Sequence, residues 1–232
     1  MIITLFIIIV LIISAVFHEY AHGWAASKLG DDTARNAGRL TLNPIPHLDL
    51  VGSIILPLFL LIANAGFFLA WAKPVPYNPY NLRDPKYGDL KVALGGPGTN
   101  FILAAVFGLI VRFIPLPILL KTDLIINFFT QNYNFLLDNM QGSIMVSIFI
   151  MSLIICFINL LLMVFNLIPV PPLDGSKVLM AFLPYNWQIR LHQIEPYGIF
   201  IVLFLLYSGL FIFISYILFF LLQVITGIRL LF

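Results

Sequence analysis

Residues 2–28 read IITLFIIIVLIISAVFHEYAHGWAASK, and from Met1 through His18 the chain carries no Asp, Glu, Lys or Arg. A spanning helix needs about 20 apolar residues, so this stretch predicts a membrane helix with His18-Glu19-Tyr20-Ala21-His22 set in its C-terminal half. The whole composition agrees. Hydrophobic residues make up 61% of the chain, charged residues 9%, and the mean hydropathy is +1.04. A soluble domain is roughly 45–50% apolar and about 25% charged, so there are too few charges here to cover a water-facing surface. Disorder and nucleic-acid binding both need charge, and the net formal charge is only +2. The lone cysteine, Cys156, excludes a disulfide framework and a multi-cysteine metal site.

Working outward, further uncharged runs lie between Asp49 and Lys73, Lys91 and Arg112, Asp138 and Asp174, and Glu195 and Arg229. With the first, they give five apolar segments, at about 2–28, 50–72, 92–112, 142–166 and 198–225. The mixed stretch 113–141 reads as a loop with an interfacial amphipathic piece. The first segment lacks the basic start and small-residue cleavage site of a signal peptide and is expected to be retained. The expected fold is an all-α polytopic membrane protein, one domain over 1–232. Its core covers about 1–183, and a surface helix and a membrane helix fill about 184–232.

Spacing of i, i+4 puts His18 and His22 on one helical face, one turn apart, where both can bind one metal ion. Glu19 lies beside them, able to act as general base on a water. Helix-end residues reaching an interface would be the plain alternative, but ionisable groups at membrane depth are costly and default to function. Half of the four histidines sit here, flanking one of two glutamates. An open zinc site needs a third protein ligand. The best source is Asn166-Leu167-Ile168-Pro169-Val170-Pro171-Pro172-Leu173-Asp174-Gly175. Its prolines force extended backbone, tolerated at membrane depth only in a buried or wet setting. Asp174 is then a helix cap or a ligand, and a cap alone would not call for the extended segment ahead of it.

HEYAH in an early membrane helix combined with NLIPVPPLDG in a later one resembles the site-2 protease family, the intramembrane zinc metalloproteases. Gly95-Gly96-Pro97-Gly98-Thr99-Asn100 is similar to that family's GPxxN motif. Gly38-Arg39-Leu40-Thr41-Leu42-Asn43-Pro44 and Trp71-Ala72-Lys73-Pro74-Val75-Pro76 resemble its short prokaryotic branch, without PDZ or CBS domains. The resemblance covers roughly residues 14–183. It implies one Zn2+ per chain held by His18, His22 and Asp174, a water activated by Glu19, and Asn166 near the substrate backbone or oxyanion. The implied substrate is a transmembrane protein, cut within or near its membrane segment, and the implied location is a prokaryotic plasma membrane. Leu50 departs from the branch, which commonly has proline after the Asp.

Topology supplies a separate constraint. His18 and His22 can meet Asp174 only if the first and fourth segments run parallel, so one segment between them does not cross. The second, broken by Pro57, Asn64 and Gly66, is expected to be a re-entrant hairpin; the polar content of 118–138 disfavours a crossing there. Lys28, Arg35, Arg39, Lys73, Arg83, Lys86, Lys91, Lys177 and Arg190 then share the side of the cluster, against Arg112, Lys121 and Arg229 opposite. The positive-inside rule turns the active-site mouth toward the cytoplasm. About four spanning helices are expected, with a short β-strand at Arg39–Leu42 able to hold an unwound substrate by strand addition. His47 reads as a structural hydrogen-bonding residue ahead of a ligand. Asp49 reads as either an imidazole-orienting group or a cap, Asn100 and Asn159 as helix glue, and His192 as a solvated surface residue. A transporter using His18, Glu19, His22 and Asp174 as an ion or proton relay is the alternative class. It sits poorly with the lack of an internal repeat of either motif.

Overall fold

Three long helices carry three of the five uncharged runs. The computed structural model describes residues 2–55, 59, 62, 72–205, 208–209 and 211–229. Among these, α1 (Ile2–Lys28), α3 (Gly88–Phe113) and α6 (Ile144–Asn166) are long and apolar enough to cross a membrane. A short α2 (Thr33–Asn36) follows α1. α3 starts where Asp84 accepts hydrogen bonds from Lys86 and Tyr87 N–H groups and pairs with Lys91 at 2.6 Å. Ser143 caps α6 by accepting from Val146 N–H.

Pairing across the helices fixes their directions. His22 meets Val92 while His18 meets Asn100, so α1 and α3 are antiparallel. Asn159 meets both Asn100 and Ser14, and Asp174, beyond the end of α6, meets His18 and His22, which together set α6 parallel to α1. This is the arrangement the metal hypothesis demanded. Gly95 makes the α1–α3 crossing possible, since a Cβ there would lie 3.0 Å from the Ala21 carbonyl oxygen. α6 is the most enclosed of the three. Its Phe149, Leu153, Ile154 and Leu160 form the core with Ala104 and Val111 of α3 and Val10 of α1.

The stretch 113–141 is not a loop. It folds as α4 (Ile118–Phe129) and α5 (Tyr133–Gly142), turned at Gln131 with a positive φ of 58°. Leu124, Ile125, Phe128 and Leu136 are buried in the core, so apolar residues at helical spacing outweigh the polar ones between them. Beyond α6 come α7 (Asp174–Met180) and α8 (Tyr185–Ile194), the latter an exposed surface helix as expected. Among the described residues the fifth apolar segment carries two helices, α9 (Gly198–Leu205) and α10 (Phe211–Thr226), with Gly209 at φ +91° between them. At 1.5 Å per residue, α10 alone is about 24 Å long, short of a hydrocarbon core of roughly 30 Å. The expected hairpin over 50–72 falls largely outside the described residues. Its first turn, Leu50–Ile55, is a π-helical turn.

No strand forms among the described residues, and 40–42 is a run of bends. The reason lies in the segment opposite. Arg39 takes the Lys73 and Pro74 carbonyls with its guanidinium, and Pro74 and Pro76 lack the N–H groups that a ladder needs.

Candidate metal centre

The centre is assembled by the end of α1, the middle of α3 and the start of α7. His18 and His22 stand one turn apart, and their Nε2 atoms are 3.0 Å from each other. After α6 the chain turns back through Pro169, Pro171 and Pro172, with Val170 N–H on Ile168 O and Leu173 N–H on Val170 O. Gly175 lets this loop close, because a Cβ there would lie 2.3 Å from the Leu167 carbonyl oxygen. The closure delivers Asp174 Oδ2 to 3.0 Å from His18 Nε2 and 3.1 Å from His22 Nε2. Asp174 does not cap its helix: Leu173 occupies that position without a side-chain bond. His18 and His22 are buried, and the Asp174 side chain is 12% exposed.

The orientation of both rings follows from unambiguous acceptors. His22 Nδ1 lies 2.7 Å from the Val92 carbonyl oxygen and must donate to it. Asn159 Nδ2 donates to the Ile155 carbonyl (2.9 Å) and to Ser14 Oγ (3.0 Å), so its Oδ1 faces Asn100. Asn100 Nδ2 donates to that oxygen at 2.8 Å, which leaves Asn100 Oδ1 to accept from His18 Nδ1 at 2.6 Å. Each ring thus donates from Nδ1, which turns both Nε2 atoms toward the Asp174 carboxylate. Three potential ligand atoms, His18 Nε2, His22 Nε2 and Asp174 Oδ2, converge on one buried point. They lie within 4.8 Å of one another. Metal–ligand bonds of about 2.0–2.1 Å in a tetrahedron give donor separations of roughly 3.3 Å, close to the 3.0–3.1 Å observed. The donor set suits zinc.

Room for the rings comes from α3. A Cβ on Gly96 would sit 2.4 Å from His22 Nε2 and 2.6 Å from His18 Nε2. Pro97 removes the N–H that would bond the Ala93 carbonyl, loosening the helix where the imidazoles lean on it. Glu19, half-buried beside the cluster, accepts from Val75 N–H at 2.9 Å.

Other singled-out residues lie apart. The Asn166 amide donates to the Leu162 carbonyl one turn back on α6, not to the cluster. His47 is buried in its loop with Nε2 on the Thr41 carbonyl at 2.9 Å, a structural bond. Asp49 accepts from Gly52 N–H, which is a cap. His192 pairs with Glu195 on the surface. Sequence reasoning treated Asn100 as helix glue and Gly96 only as a member of the GPxxN-like stretch, and so missed both as parts of this centre. The available signal was their i, i+4 spacing on α3, a face that also presents Val92.

A profile of peptidase family M50 matches residues 6–209. "Putative zinc metalloprotease YwhC" of Bacillus subtilis is 37% identical over 206 residues, 86% of this chain and 80% of its own. "Putative zinc metalloprotease Rip2" of Mycolicibacterium smegmatis is 26% identical over 196 residues, 84% of this chain and 64% of its own. No solved structure matches significantly. With a match across most of its length and the two signature motifs joined at one buried point, the chain belongs to peptidase family M50, the site-2 protease family.

Proposed function

We propose that this peptidase hydrolyses a peptide bond within or beside a transmembrane segment of a membrane-protein substrate, with one zinc ion held by His18, His22 and Asp174. The observation that carries this reading is the convergence of three potential ligand atoms, each ring fixed from behind by Asn100 or Val92. The printed names of both relatives, which call them zinc metalloproteases, support the choice of metal. Bound zinc supplies Lewis acidity toward the scissile carbonyl and toward water. Glu19 takes the proton of the attacking water and passes it to the leaving nitrogen, so that water adds across the C–N bond as it breaks. Asn166, at the end of α6, is proposed to face substrate. The substrate's carbonyls are hidden in i to i+4 hydrogen bonds, so its helix must unwind before attack. The membrane is proposed to be a prokaryotic plasma membrane with the mouth toward the cytoplasm. A relay of ions through the same residues finds no support in a peptidase family.

The test is zinc per chain in protein purified in mild detergent without chelator. Near-stoichiometric zinc is expected in the parent, with clear loss in His22→Ala and Asp174→Ala. Glu19→Gln should keep its zinc yet lose cleavage of a fluorogenic single-span peptide carrying a central helix break. Zinc that survives Asp174→Ala breaks the ligand set, and folded parent protein without transition metal overturns the reading.

A further inference from the structure

Residues 72–78 form neither helix nor strand and pass beside the end of α1. Lys73 and Val75 each precede a proline, which drives both toward extended backbone. Pro74 and Pro76 carry no N–H, so across 74–76 the Val75 amide is the single backbone donor. That donor goes to Glu19 Oε2. The Val75 side chain is buried and seated at Gly23, one turn beyond Glu19 on α1, where an added Cβ would meet Val75 Cγ1 at 3.0 Å. On either side the strap is tied down. Arg39 Nη2 donates to the Lys73 carbonyl at 2.9 Å and reaches the Pro74 carbonyl at 3.4 Å. Lys73 N–H donates to the His47 carbonyl at 2.8 Å, and Asn78 N–H to Asp31 Oδ2 at 2.8 Å.

We infer that this strap holds the Glu19 carboxylate in place for proton transfer, and that Arg39, which bonds to the strap and not to Glu19, is a positioning residue for the reaction. The inference rests on Glu19 being the base proposed above. An untethered glutamate spreads over many rotamers, and ordering such a side chain costs conformational entropy. Fixing one oxygen on a backbone donor restricts that spread in advance. The flanking prolines protect the register: a slip of one residue in either direction would present a proline to Glu19 and lose the bond. Arg39 reaches both carbonyls from the single nitrogen Nη2.

The proline pattern also makes the tether measurable without substrate. Hydrogen exchange followed by mass spectrometry with fragmentation to residue level reads the Val75 amide cleanly, since 74–76 contributes no other exchangeable backbone site. Slow exchange is expected in the parent, with acceleration of at least about tenfold in Glu19→Ala and in Arg39→Ala and unchanged zinc in Arg39→Ala. Free exchange in the parent, or protection unaltered by Arg39→Ala, overturns the inference. In cleavage of the single-span peptide, Arg39→Ala should lower kcat about 10- to 100-fold with KM within about twofold, and Arg39→Lys should fall between. On a Glu19→Gln background it should cost nothing further. A raised KM with intact kcat makes Arg39 a substrate contact instead. Val75→Pro, which deletes the donor and keeps extended backbone, should reproduce the kcat loss and serves if Arg39→Ala fails to fold. Full activity in Glu19→Gln would sink the assignment of the base, while Val75 protection would still report on the tether.

Discussion

Two glycines two residues apart on α3 separate the demands of the helix from those of the centre. A Cβ at Gly96 would overlap both imidazoles, whereas nothing lies within 4 Å of one at Gly98. Gly98→Ala is expected to stabilise the protein by about 0.5–1 kcal/mol through helix propensity, read as a raised Tm with full zinc content. Gly96→Ala should lose most of its zinc, whatever its Tm does. Asn100→Leu removes the acceptor that keeps the His18 proton on Nδ1, and zinc affinity should fall about 10- to 100-fold in a chelator competition. The meeting of His18, His22 and Asp174 was legible in the sequence because HExxH and PPLDG mark them within a few positions. Asn100 and Gly96 were not, because their roles depend on what faces them across a helix crossing. A spanning helix rich in small residues has many reasons to contain a glycine or an asparagine.

The same division holds for elements. α1, α3 and α6 were legible as uncharged runs, since a membrane helix satisfies its own backbone and needs only length and apolarity. α4 and α5 were hidden by polar residues that a helical pair can turn aside. The positive φ of Gly209 was invisible inside a continuous apolar run. The link from α1 to the strap was also unread, and it centres on Asp31. Burial opposes the charge of Asp31, but hydrogen bonds from the Thr33 hydroxyl, Asn78 N–H and the Asn81 amide outweigh it and hold the carboxyl below the usual carboxylate range. A carboxyl lowered in the folded state contributes stability above its unfolded value and loses it as pH falls through the folded one. Thermal unfolding in detergent should therefore show a loss of Tm at acid pH. Asp31→Asn should be less stable at pH 7 by roughly 1–3 kcal/mol and should lose less on acidification. An acid limb that is unchanged in Asp31→Asn would remove this residue from the account.

At the scale of the molecule, antiparallel α1 and α3 bring the chain that leaves at Lys28 back to the same end at Gly88. The parallel run of α6 brings Asp174 to that end as well. The charges that follow are unequal. Lys28, Arg35, Arg39, Lys73, Arg83, Lys86, Lys91, Lys177 and Arg190 belong to the end with the metal cluster. At the far end, Lys121 donates to the Val111 and Arg112 carbonyls at the close of α3, and Arg112 reaches the Val224 carbonyl of α10. Two of the three basic residues there are thus engaged with helix C-termini, where a cation is favoured, which leaves little free positive charge to hold that end in the cytoplasm. The expected orientation has the cluster end inside. In a Cys156→Ala background, Lys86→Cys marks the cluster end and Gln141→Cys, just before α6, marks the other; both native side chains are exposed. A membrane-impermeant thiol reagent applied to intact spheroplasts should label Gln141→Cys at once and Lys86→Cys only after lysis. The reverse pattern would place the mouth outside and detach the charge count from the topology, leaving the ligand geometry as it is.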